Sequence, residues 1–167
     1  VTGTENIMMA ASIAEGITRL TNVAREPEIV DLADMLNSMG AKISGAGSEE
    51  ITIEGVDKLH YSSFSIPADR IEAGTYLTAA VITNGSIKIE GIDPNRLNAV
   101  LNKLKDAGSE IITDKNSIFL SMKKNQPKPV DITTAPFPEF PTDMQAQFSV
   151  INSIANGKSY INETVFE

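Results

Sequence analysis

One unit of sequence recurs along this chain, and any fold must accommodate it twice in full and once in part. Three segments open on a pattern that satisfies free N–H groups at a helix start. They are Thr2-x-x-Glu5, Asp69-x-x-Glu72 and Thr142-x-x-Gln145. Each runs into small and apolar residues and stops at a glycine able to take the left-handed turn that ends a helix. These are Gly16, Gly85 and Gly157, spaced by 69 and 72 residues. Strands follow at residues 18–23, 86–90 and 159–162. Pro27 and Pro94 then open helices with apolar stripes, Ile29/Leu32/Ala33/Leu36 and Leu97/Val100/Leu101/Leu104, which end at Gly40 and Gly108. Strand pairs are predicted at 41–44 and 51–54, and at 110–113 and 117–122.

The unit therefore reads helix, strand, helix, strand, strand, with a strand leading into each capped helix. The fold class is α/β (α+β). Helices made of small residues and apolar on most sides are expected to be buried. The amphipathic helices led by Pro27 and Pro94 are expected to cover a sheet. Residues 61–66 read as a strand, followed by a hinge at Pro67-Ala68. Ahead of the third helix, Pro136, Pro138 and Pro141 make an extended lead-in, because proline fixes φ and biases its predecessor toward extended backbone.

Composition removes several function classes. The 167 residues contain no Cys, so disulfides, thiolate metal sites and thiol catalysis are excluded within this stretch. His60 is the only histidine, which excludes a multi-histidine metal site within it. A net charge of −8 argues against nucleic acid or an anionic membrane as partner, since both require a basic face. No apolar run is long enough to span a bilayer. There is no glycine-rich dinucleotide fingerprint, no phosphate-binding loop and no metal-ligand spacing, so no cofactor is expected. The chain begins and ends without natural-looking termini and reads as an internal piece of a longer protein.

The residues that could carry chemistry cluster at the helix starts. The Thr2-Gly3-Thr4 start offers free N–H groups suited to phosphate, although an ordinary capped helix is the commoner meaning of that pattern. Asp143 lies one residue inside the third cap, after a stiff proline-rich lead-in. There it is able to accept a proton from a hydroxyl; alternatively it simply complements the helix dipole. Asp69 and Arg70 hold the related place in the second unit and read as a solvated first turn. Glu26 and Glu28 read as first-turn electrostatics and His60 as a surface residue. Lys123, Lys124 and Lys128 read as a solvated basic loop.

Longer runs carry a resemblance. Val1-Thr2-Gly3-Thr4-Glu5-Asn6-Ile7-Met8-Met9-Ala10-Ala11, Ala24-Arg25-Glu26-Pro27-Glu28-Ile29-Val30-Asp31, Met39-Gly40-Ala41-Lys42-Ile43, Ile53-Glu54-Gly55-Val56, Asp69-Arg70-Ile71-Glu72-Ala73-Gly74-Thr75 and Phe140-Pro141-Thr142-Asp143-Met144-Gln145-Ala146-Gln147 resemble bacterial UDP-N-acetylglucosamine 1-carboxyvinyltransferases. The resemblance covers essentially the whole chain, in the family's order. It implies an inside-out α/β barrel of two domains, each of three repeats around buried helices, with both domains only partly present. Residues 1–66 would be the last repeat of one domain. Residues 67–167 would be the first repeat and a truncated second repeat of the other.

The resemblance also implies a reaction. Enolpyruvyl would pass from phosphoenolpyruvate to the 3-hydroxyl of UDP-N-acetylglucosamine with release of phosphate, in the cytoplasm, as the first committed step of peptidoglycan synthesis. Asp143 matches the family's proposed base at the sugar hydroxyl, within the Thr142-Asp143 run. Val1, Thr2 and Gly3 match the segment that contacts the nucleotide diphosphate. Val165, in Glu163-Thr164-Val165-Phe166-Glu167, matches a valine whose backbone touches the sugar. The loop cysteine that fosfomycin targets and the Lys-Asn pair that holds phosphoenolpyruvate would lie before Val1. The clamping arginines would lie partly before Val1 and partly after Glu167. The chain alone is expected to be inactive and, with an open sheet edge, to self-associate. A non-catalytic module on the same repeats and a different enolpyruvyl transferase are the alternatives.

Overall fold

The computed structural model describes residues 1–123 and 125–166; Lys124 and Glu167 lie outside them. The chain divides into two compact units, Val1–Pro67 and Ala68–Glu167. The elements run α1 (Thr2–Ala11), β1 (Ile17–Thr21), α2 (Pro27–Ser38), β2 (Lys42–Ser44) and β3 (Glu50–Glu54) in the first unit. The second holds α3 (Arg70–Ile82), β4 (Ser86–Glu90), a 3₁₀ turn (Pro94–Leu97) continuing as α4 (Asn98–Asp106), β5 (Glu110–Asp114), β6 (Ser117–Ser121) and β7 (Ile132–Thr133). A second 3₁₀ turn (Thr142–Met144) then leads into α5 (Gln145–Ile154), and β8 (Ile161–Asn162) follows.

The repeat is present in the sheets. Their strand orders are β1-β3-β2 and β4-β6-β5, antiparallel throughout. In each, the last strand in sequence is the central one and pairs on both sides. Alternate residues of that strand carry the core, Ile51 and Ile53 in one sheet and Ile118 and Leu120 in the other, all fully buried. The outer strands are mutually parallel, because both run against the centre. The crossover between them is the proline-led helix, whose apolar stripe packs on the sheet.

The helix ends follow one rule. After α2 and α4, Gly40 (φ 99°) and Gly108 (φ 101°) turn left-handed, and the next amide reaches back five residues, Ala41 N–H to the Leu36 carbonyl and Ser109 N–H to the Leu104 carbonyl. After α3 the same motif forms, but the left-handed residue is Asn84 (φ 54°) rather than Gly85, whose N–H bonds the Ala80 carbonyl. Asn tolerates this conformation through its short polar side chain.

Several expectations are corrected. Only Asp69 caps as its pattern predicts, accepting from the Ile71 and Glu72 amides at 2.7 and 3.1 Å. Val1, not Thr2, occupies the N-cap of α1, without a side-chain bond. The helix stops at Ala11, five residues before Gly16. Residues 61–66 form no strand, and no strand leads into α3; a strand precedes only α5, where β7 pairs in parallel with β8. The solvated first turn predicted for Arg70 is overturned: Arg70 is 7% exposed, with its guanidinium 5.8 Å from the centre of the Phe137 ring. Lys123 pairs with Glu110 at 2.5 Å.

Burial of the small-residue helices holds for one of the three. α3 packs against α4, α5, β4 and β6 and buries Ala73, Gly74, Leu77, Thr78, Ala80 and Val81. α1 meets mainly α2 and β3 and buries Met8 and Ala11, while α5 buries Phe148 and Ile151. The number of packed neighbours, not composition, sets the difference.

One close approach is absolute. The residue after β3, Gly55, donates its N–H to the Gly16 carbonyl at 2.9 Å, and Val56 donates to the Ser12 carbonyl at 3.0 Å. A Cβ on Gly55 would lie 1.5 Å from the Ala14 carbonyl oxygen. Gly55→Ala is expected to destabilise the first unit by about 2 kcal/mol or more, because backbone must move to admit it. Denaturant midpoints check this; a wild-type midpoint would refute the packing described.

Candidate active site

The proline-rich lead-in delivers the third helix start to one spot. Phe140 and Phe148 stack edge-on with centroids 5.0 Å apart, and Met144 is fully buried, so the Thr142–Met144 turn is anchored from below. Thr142 and Gln145 were expected to form a capping box. They do not: no side chain caps this helix end. Both side chains instead donate to one carboxylate oxygen, Oε2 of Glu163, Thr142 Oγ1 at 2.7 Å and Gln145 Nε2 at 2.6 Å. Such a pattern satisfies whichever acceptor lies closest, and here a tertiary acceptor displaces the local one.

The other oxygen of Glu163, Oε1, accepts from Thr134 Oγ1 at 2.8 Å and from the amides of Val165 and Phe166 at 2.6 and 3.0 Å. Thr134 is fully buried just after β7. Its Oγ1 accepts from the Thr164 amide, its N–H donates to the Asn162 carbonyl, and its carbonyl accepts from the Thr164 hydroxyl. Glu163 thus takes five hydrogen bonds from three stretches of chain. No Lys or Arg pairs with it among the described residues. The donors alone hold its carboxyl well below the usual range, at about 2, Thr142 contributing most and partial desolvation opposing.

Two groups at this hub are left with free acceptors. Asp143 is exposed and has no hydrogen bond or ion pair among the described residues. Val165, whose N–H is held by Glu163, has a carbonyl that accepts from no described residue. Two exposed residues with free acceptors suit a ligand that brings hydroxyl donors, and a carboxylate among them suits one that gives up a proton.

A family model described as EPSP synthase (3-phosphoshikimate 1-carboxyvinyltransferase) matches residues 1–167, the entire chain. The chain belongs to this family. It is similar in fold to the enolpyruvyl transferase NikO from Streptomyces tendae, with TM-score 0.85 and 24% identity over 97% of this chain and 39% of that one. It is also similar to EPSP synthase from Acinetobacter baumannii, with TM-score 0.61 and 21% identity over 93% of this chain and 37% of that one. The chain therefore spans about two fifths of the length of these solved relatives. The α+β repeat read from the sequence is that of the enolpyruvyl transferase fold.

Of the site residues expected from sequence, Thr142, Asp143 and Val165 come together in the second unit through Glu163. Val1, Thr2 and Gly3 lie in the first unit, at the exposed start of α1, where Thr4 Oγ1 accepts from the Ala24 amide at 3.1 Å. A Cβ on Gly3 would meet nothing within 4 Å, so packing does not demand glycine there. Among the described residues no group of three or more His, Cys, Asp or Glu is placed to hold a metal ion, and no helix is long and apolar enough to cross a membrane. Glu163, Gln145 and Thr134 were missed as site residues. For Glu163 the available signal was its place at the head of the run containing Val165.

Because the folded carboxyl of Glu163 is lowered from 4.5 to about 2, its stabilising effect is complete above about pH 4.5 and lost as pH falls through 2. The Val165 and Phe166 amide resonances are expected to titrate with a midpoint near 2, rising in Thr142→Val. A midpoint at the ordinary carboxylate value in the parent protein would refute the hub.

Proposed function

We propose that the chain is part of a UDP-N-acetylglucosamine 1-carboxyvinyltransferase, acting in the cytoplasm in the first committed step of peptidoglycan synthesis. The observation that carries this reading is the pair of exposed residues with free acceptors, Asp143 and Val165, whose segments are tied to a single carboxylate through Thr142 and the Val165 amide. Family membership supplies enolpyruvyl transfer as the chemistry. The long runs from Phe140 to Gln147 and from Glu163 to Glu167 support the sugar nucleotide as acceptor.

In this reading the sugar 3-hydroxyl oxygen bonds to C2 of phosphoenolpyruvate, and Asp143 takes the hydroxyl proton. A second proton adds to the methylene carbon, giving a tetrahedral intermediate. Loss of phosphate from C2 and of a proton from C3 restores the vinyl group on the sugar. Asp143 suits the first step because it is exposed, stands at a helix start, and has no hydrogen bond or ion pair to displace among the described residues. The Val165 carbonyl would receive a second sugar donor and fix orientation. Val1, Thr2 and Gly3 would meet the diphosphate at the start of α1, whose free N–H groups and dipole favour anions. Electrostatic stabilisation is the largest catalytic effect in most enzymes. The residues expected to supply the cations lie outside the chain, so the 167 residues alone are expected to be inactive.

Another enolpyruvyl transferase is the second reading. It is favoured by the family description and by the identity of the two solved relatives. Phosphate release by a protein of family length carrying this chain separates the two. Turnover is expected with UDP-N-acetylglucosamine and not with shikimate 3-phosphate; the reverse would overturn the proposal. Asp143→Asn is expected to lower kcat by about 10²–10⁴-fold with little change in melting temperature. Near-normal turnover would remove Asp143 from its role as base.

A further inference from the structure

We propose that Glu163 is a positioning residue of the transferase, setting the Asp143 carboxylate and the Val165 carbonyl in register for one acceptor substrate. This rests on the reading above.

The two acceptors belong to segments more than 20 residues apart in sequence, the turn Thr142–Met144 and the stretch after β8. β8 pairs with β7 at residues 132–133, and Thr134 continues by an isolated parallel bridge to Phe140, two residues ahead of the turn, so backbone pairing brings the two segments close without bonding one to the other. What joins them is Glu163. Oε2 holds the turn by Thr142 Oγ1 and Gln145 Nε2, and Oε1 holds the Val165 and Phe166 amides. The carboxylate is rigid, so fixing one oxygen fixes the other.

The same bonds keep the acceptors available. Thr142 and Gln145 carry the side-chain donors nearest to Asp143 in sequence, and both are spent on Glu163. The Val165 amide is spent likewise, and its carbonyl accepts from no described residue. The Thr134 hydroxyl, fully buried and bonded to Glu163 at 2.8 Å, ties the carboxylate to the core. A carboxylate that accepts five donors, with no cation paired to it among the described residues, is suited to holding donors in place rather than to binding a ligand, because its lone pairs are already used.

Glutamine at this position can partly rebuild the network. The Thr142 hydroxyl and the Gln145 amide each have an acceptor to offer the new N–H₂ group, while the new carbonyl still faces the two backbone amides. Alanine cannot.

The test uses a transferase of family length carrying this chain, with steady-state kinetics, melting temperature and the Val165 and Phe166 amide resonances measured together. Glu163→Ala is expected to lower kcat by about 10²-fold while the KM for phosphoenolpyruvate stays close to the parent value. Glu163→Gln is expected to recover a large part of that loss. Near-parent kcat in a folded Glu163→Ala protein, with Asp143→Asn crippled, overturns this inference and leaves the reaction assignment standing. Near-parent kcat in Asp143→Asn overturns the assignment and this inference with it. Should Glu163→Ala fail to fold, Thr134→Val and Thr134→Ser decide. Loss of kcat in the first and retention in the second support the inference, and equal kcat in both overturns it.

Discussion

An ionised carboxylate that accepts five hydrogen bonds, and pairs with no cation among the described residues, governs the geometry around the third helix start. Charge-assisted hydrogen bonds are about twice as strong as neutral ones, and a bidentate acceptor orients what it binds. The Glu163 side chain supplies both properties. Without it, the turn at Thr142 and the segment at Val165 would be neighbours by topology alone. With it, they are tied to one carboxylate, and Asp143 and Val165 are both exposed beside it. The low carboxyl pKa is the thermodynamic image of the same contacts, since donors that stabilise the anion also resist its protonation.

That hub stands on a repeated scaffold. In both sheets the last strand is central and buries alternate residues in the core, a proline-led helix makes the crossover, and a left-handed residue turns the chain after the helix. The second unit has the larger core, in which α3 is enclosed by its neighbours and Phe140 and Phe148 wedge the third helix start against it. Placing an exposed acidic residue on that start gives a mobile class of side chain a fixed base. The proposed functional groups then sit on an element whose position is set by packing.

Much of the scaffold was legible because its signals are local. Prolines at positions 27 and 94, glycines at 40 and 108 and the apolar stripes between them each report on a few adjacent residues. Asp69 kept its promise as a cap for the same reason. The failures involve distance. Thr142 and Gln145 fit a capping pattern, but their partner is about 20 residues further on, and no local rule reveals a tertiary competitor. Asn84 displaced Gly85 as the turning residue by one position, within the reach of its own side chain. Residues 61–66 alternate like a strand yet find no partner to pair with. Arg70 read as surface because charged residues at a helix start are normally solvated, and it is buried against Phe137 instead. Asp143 and Val165 were reached through resemblance; Glu163, which links them, was not, because its importance lies in bonds that no sequence pattern displays.

The most direct measurement is a crystal structure of a family-length protein carrying this chain, bound to UDP-N-acetylglucosamine. The account predicts that the sugar donates to both the Asp143 carboxylate and the Val165 carbonyl, while Glu163 keeps its bonds to Thr142, Gln145 and the Val165 and Phe166 amides. A sugar nucleotide bound with neither acceptor in contact, or with Glu163 swung out to bind the ligand itself, would contradict it.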